Sequence, residues 1–89
     1  MKVEGFEEQM IGDIIPILKE FLSKGISEKL KKKAEKVYLE YMGFSRIIDI
    51  SKDVDRMHEI LVAIAYPDIT GLRPNKEEVK KLVEKYGNK

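Results

Sequence analysis

Apolar residues recur along this chain at three- and four-residue steps, and glycines and prolines break the recurrence at only a few points. Steps of three and four keep side chains on one face of an α-helix, whereas a strand face needs a step of two. The spacing is plainest between Ser45 and Ala65, where Ile47, Ile50, Val54, Met57, Leu61 and Ile64 follow at intervals of 3, 4, 3, 4 and 3. A seam of that period packs one helix against another, so the expected fold is an all-α bundle.

Four helices are predicted, over about residues 5–22, 27–42, 45–65 and 75–86. The first carries Phe6, Met10, Ile11, Ile14, Ile15, Ile17, Leu18, Phe21 and Leu22 on one half of its wheel. Pro16 falls on the polar half and opposes the carbonyl of Gly12, which predicts a solvent-side bend near 12–16. A fresh start capped by Asp13 would place the same proline in a first turn. In the second helix Ser27 is the expected N-cap, and Leu30, Ala34, Val37, Tyr38 and Tyr41 form the stripe. Gly43 would end it and Phe44 would cover Leu39.

The third helix is drawn as one long element with Ser45 as N-cap; a competing reading starts it at Ser51. Ile60, Val62 and Ala65 widen its apolar arc, which predicts a central helix buried on more than one side. Tyr66-Pro67 ends it, because a residue before proline resists the helical conformation. A loop over 67–74 leads to the last helix, where Asn75 and Glu78 suggest a capping box and Gly87 a stop. Its stripe is Val79, Leu82, Val83 and Tyr86.

A chain of 89 residues without internal repeat or linker is expected to be a single helical domain over 1–89. Such a domain buries only about 60–65% of its unfolded surface. With no cysteine, neither disulfides nor thiolate-bound zinc can add to that stability. No apolar run nears membrane-spanning length, and the first residues lack a signal-peptide pattern, so the expected setting is cytoplasmic with no membrane partner. Lys outnumbers Arg 14 to 3, Glu outnumbers Asp 11 to 5, and Gln9, Asn75 and Asn88 are the only amides. Hyperthermophile proteins tend that way, although an AT-rich genome gives the same bias.

Catalytic equipment is sparse. His58 is the only histidine, no serine sits in a Gly-x-Ser-x-Gly elbow, and Gly71 is followed by Leu72-Arg73-Pro74 rather than by a phosphate-loop lysine. Asp55 and His58 lie three apart on one helix, a spacing used in di-iron bundles, but those bundles need two such pairs and two further glutamates. His58 reads instead as a core-margin histidine with one hydrogen bond. Adjacent acids such as Glu7-Glu8, Asp53 with Asp55, and Glu77-Glu78 point about 100° or more apart and read as solvated charge. No enzyme activity, cofactor or metal is expected.

The positive signals are two. Lys29, Lys32, Lys33 and Lys36 project within about 100° of arc opposite the second helix's stripe, forming a ridge able to contact phosphates. Only three arginines and the nearby Glu40 argue against base-specific DNA reading. The second signal is surplus apolar surface: Leu39, Ile48, Ile69 and Leu72 belong to no stripe, and the 47–64 seam is long enough to serve a partner. Net charge is +1, yet residues 1–22, 23–46, 47–68 and 69–89 carry −3, +4, −3 and +3. That alternation suits antiparallel neighbours within a bundle and equally suits docking between molecules.

The sequence thus predicts a small helical protein–protein interaction module, a homo-oligomer or a subunit of a larger assembly. Its interface is sought among Ile47, Ile50, Val54, Met57, Leu61, Ile64, Leu39, Ile69 and Leu72. The alternative is an accessory nucleic-acid-binding protein using Lys29, Lys32, Lys33 and Lys36.

Overall fold

Each of the longer helices turns an apolar face inward, and the helices assemble by pooling those faces. A computed structural model describes residues 5–42 and 51–87, with helices α1 (Phe6–Lys24), α2 (Glu28–Tyr41), α3 (Lys52–Ala65), α4 (Pro67–Thr70) and α5 (Lys76–Tyr86). No strand occurs among the described residues. The all-α bundle is therefore the fold, with one helical turn more than the sequence predicted.

α1 runs unbroken across Gly12 and Pro16, both on its exposed side, where the missing amide and the freed carbonyl face water. Asp13 is no helix cap: its carboxylate accepts a 2.5 Å hydrogen bond from the Tyr41 hydroxyl of α2. Gly25 closes α1 at positive φ, its N–H donating to the Phe21 carbonyl. Two residues later Ser27 opens α2, its Oγ accepting from the Leu30 N–H at 3.1 Å. Lys33 meets Glu20 and Tyr41 meets Asp13, so late residues of α2 lie beside early residues of α1 and the two helices are antiparallel. Phe6 adds an edge-to-face contact with Tyr41 at 5.6 Å.

The long third helix is corrected at its start. Ser51 has extended backbone geometry and its Oγ accepts from the Val54 N–H, so α3 begins at Lys52 and not at Ser45. The Ser51 N–H also donates to the Glu7 carboxylate of α1. Gly43, Phe44, Ser45, Ile47, Ile48 and Ile50 lie outside the described residues. Leu39 itself stays 52% exposed.

α3 has the breadth of buried surface its arc predicted. Val54, Met57, Leu61 and Ile64 are fully buried, with Ile60, Ala63 and Ala65 nearly so, and the helix packs on α1, α2 and α4. α1 is equally central, lying against α2, α3 and α5. Met10, Ile14 and Leu18 from α1 meet this core, as do Leu30 and Ala34 of α2 and Val79 of α5. Each large side chain so buried is worth about 1.5–3 kcal/mol.

α4 replaces part of the expected loop. Pro67 sits at its first position, where a missing N–H costs nothing, and Gly71 ends it in the left-handed conformation. Asn75 caps α5 as predicted, its side-chain oxygen accepting from the Glu77 and Glu78 amides. The second half of the capping box is not made. Both Glu78 carboxylate oxygens hold the Arg56 guanidinium of α3, at 2.7 and 2.9 Å.

Candidate functional site

Four of the six seam residues are described. Val54, Met57, Leu61 and Ile64 have no exposed surface in the single chain and pack in its own core. A 3–4 period does not say whose helix fills the groove, and here α1 and α2 fill it. Of the nine interface candidates, Leu39, Ile69 and Leu72 are exposed, and Ile47 and Ile50 lie outside the described residues.

The lysine ridge is present as predicted. Lys29, Lys32, Lys33 and Lys36 are all exposed, on the side of α2 turned away from Leu30 and Ala34. It is interleaved with acid, however. Lys33 Nζ donates to Glu20 at 2.9 Å, and that bond, supported by Lys24 and Lys29, holds the Glu20 carboxyl below its usual range. Asp13 and Glu40 flank the same groove between α1 and α2 as Lys33 and Lys36. Lys31 turns to Glu28 at 3.4 Å.

His58 departs from its expected hydrogen bond. The ring is buried at the α2–α3 contact, 5.0 Å from the Tyr38 ring, and Nε2 has no hydrogen-bond partner. Tyr38 in turn meets Tyr66 edge to face at 6.0 Å. Burial, then the neighbouring Glu35 carboxylate, raises the Tyr66 phenol above its ordinary value. Asp55, one turn earlier on α3, is solvent-exposed. No group of three or more His, Cys, Asp or Glu side chains converges among the described residues.

The remaining candidate surrounds α4. Ile69 is 82% exposed and Leu72 is 58% exposed, the highest values among the large apolar side chains of the described residues. The turn carrying them is fixed from several directions. Thr70 Oγ1 donates to the Tyr66 carbonyl at 2.9 Å and accepts from the Leu72 N–H at 3.2 Å. The Gly71 N–H closes the turn on the Pro67 carbonyl at 3.1 Å, at a positive φ that a side chain would strain.

Beneath this turn a groove of about 450 Å³ opens between the α1–α2 reversal and the segment leading into α5. Phe21, Ile26, Pro67 and Pro74 give it apolar walls, while Arg73 and Lys76 stand at it with Asp68 as the one acid. Ile69 and Leu72 signalled this region in the sequence, since no helical stripe absorbed them. The groove itself had no local signal: Phe21 and Ile26 are more than 40 positions from Pro67, and only the tertiary fold joins them.

Between α3 and α5 lies a polar clamp of structural character. Asp53 accepts from Lys85 Nζ at 2.6 Å and from the Tyr86 hydroxyl at 2.7 Å, and these bonds hold its carboxyl low. Arg56 does the same for Glu78, while Glu59 also engages the guanidinium. These groups hold two helices together, and Arg56 and Glu59 also border a small cavity of about 70 Å³ beside Leu72 and Arg73.

With this geometry in hand, comparison with known proteins adds no relative: no protein-family model, no curated protein and no solved structure matches the chain.

Proposed function

We propose that the chain is a small helical protein–protein interaction module that presents α4 to its partner. The observation that carries this reading is Ile69, a large apolar side chain 82% exposed on a turn held by four hydrogen bonds and a proline. An apolar anchor ordered before binding loses little further entropy when a partner covers it. Leu72 and the half-open Ile26 extend the apolar surface beside it.

The test is solution mass by light scattering across a gel-filtration peak, with gently purified protein. A mass above the 10.3 kDa of one chain is expected, from self-association or a retained partner. The Ile69→Ser/Leu72→Ser variant is expected to fall to that single-chain mass with its helical circular dichroism unchanged. A variant that keeps the wild-type mass removes α4 from the interface and refutes the reading.

The exposure of Lys29, Lys32 and Lys36 favours a second reading, non-specific contact with nucleic-acid phosphates. It competes less well, because Glu20 engages the ridge through Lys33 and Glu40 shares its groove. The same gel-filtration experiment, followed at 260 and 280 nm, reads it. Salt-removable absorbance at 260 nm would favour the ridge, and the chain has no tryptophan to obscure it.

A further inference from the structure

Resting on the interaction-module reading, we infer that the groove beneath α4 takes an acidic peptide segment of a partner, bearing an apolar anchor. Its size argues for a segment and against a broad subunit face. Nine residues line the groove, whereas a stable two-copy interface engages roughly 20–30 residues on each side. A volume near 450 Å³ accommodates one or two apolar side chains between Phe21, Ile26, Pro67 and Pro74.

Charge sets the sign of the segment. Arg73 and Lys76 form no ion pair with the described residues, in contrast to Lys33, Arg56 and Lys85, each of which has a carboxylate within 3 Å. Against these two cations the lining offers only Asp68, so the groove is net positive. The end of α1 at Gly25 and the start of α5 at Lys76 bring helix-dipole ends of opposite sign, which leaves the side chains to decide. A segment whose carboxylates flank a Leu or Ile would satisfy both the cations and the apolar walls.

The probe is a short Glu/Leu peptide, compared with Gln/Leu and Lys/Leu peptides of equal length, titrated into isotope-labelled full-length protein and followed by amide NMR. The Glu/Leu peptide is expected to move the resonances of Gly25, Ile26, Arg73 and Lys76 saturably. It should bind roughly three- to tenfold more tightly than the Gln/Leu peptide, as two exposed charge contacts allow, and the advantage should shrink as salt rises. The Arg73→Glu/Lys76→Glu variant should lose that advantage. Both side chains are exposed or half-exposed with no bonds to break, and Arg73→Gln/Lys76→Gln serves as the milder variant.

Equal or tighter binding of the Lys/Leu peptide overturns the inference, as do shifts confined to other residues. Should no peptide bind while the wild-type chain self-associates through Ile69 and Leu72, the acidic partner is refuted but the interaction-module reading stands. Absence of both peptide binding and any mass above one chain refutes the two together.

Discussion

A buried nitrogen without a partner is a cost that single residues rarely carry, and His58 carries one. Its Nε2 is sealed from water against Tyr38, with no acceptor or donor opposite it. An unsatisfied buried polar atom costs about 1–3 kcal/mol, while an aromatic contact returns about 0.5–1.5 kcal/mol. Replacing the ring by one that stacks equally well and has no nitrogen separates the two effects. His58→Phe is therefore expected to raise unfolding stability by about 0.5–1 kcal/mol, read as a higher urea midpoint at unchanged slope. A loss of more than 1 kcal/mol would mean that Nε2 has a polar partner, such as a buried water, and would overturn the account.

At the scale of elements, α3 and α5 are bridged by charged and polar side chains. Asp53 holds Lys85 and Tyr86, and Glu78 holds Arg56. Both carboxyls lie below their ordinary values because these donors stabilise the charged form. In the unfolded chain they titrate near the usual values of about 3.9 and 4.3. The folded state then binds fewer protons than the unfolded state across that range, so stability rises with pH there. The contribution is complete above the unfolded values and is lost as pH falls through the lowered folded ones. Circular dichroism of acid unfolding should show a transition in that window, and Asp53→Asn/Glu78→Gln should flatten the pH dependence while lowering stability at neutral pH. An unchanged acid transition in the double variant would place the sensitivity elsewhere.

The same elements show which parts of the fold were legible in the sequence. The stripes of α1, α2 and α5 and the caps at Ser27 and Asn75 are local facts, and local facts survive folding. The start of α3 is also local, yet periodicity obscured it. Ile47 and Ile50 continue the seam upstream of Ser51, so the spacing alone favours a longer helix. The better signal was electrostatic: Asp53 and Asp55 follow Ser51 and suit a helix N-terminus, whereas Arg46 follows Ser45 and does not. α4 escaped because a single turn has no period. The groove escaped because its walls come from α1 and from residues 67–76, and only packing brings them together. Whether the seam was core or interface depended likewise on supply: α1 and α2 had apolar surface enough to cover it.

On the scale of the whole molecule, the alternating charges are partly consumed within the bundle. The acidic first segment meets the basic second at Glu20–Lys33, and the acidic third meets the basic fourth at Asp53–Lys85. Lysines therefore fall into two groups that composition cannot separate, those serving the fold and those left to solvent. Lys33 belongs to the first and its neighbour Lys32 to the second, although both are exposed on one ridge. Reversing Lys33 to Glu sets it against Glu20, a like charge held close by antiparallel packing, so Lys33→Glu should lower the urea midpoint. The loss should diminish in high salt as the repulsion is screened. Lys32→Glu removes no ion pair and should leave stability within about 0.5 kcal/mol of wild type. Equal effects would show that the ridge acts only through its summed charge. The expected difference makes Lys32 and Lys36, not Lys33, the positions at which phosphate binding can be tested without disturbing the fold.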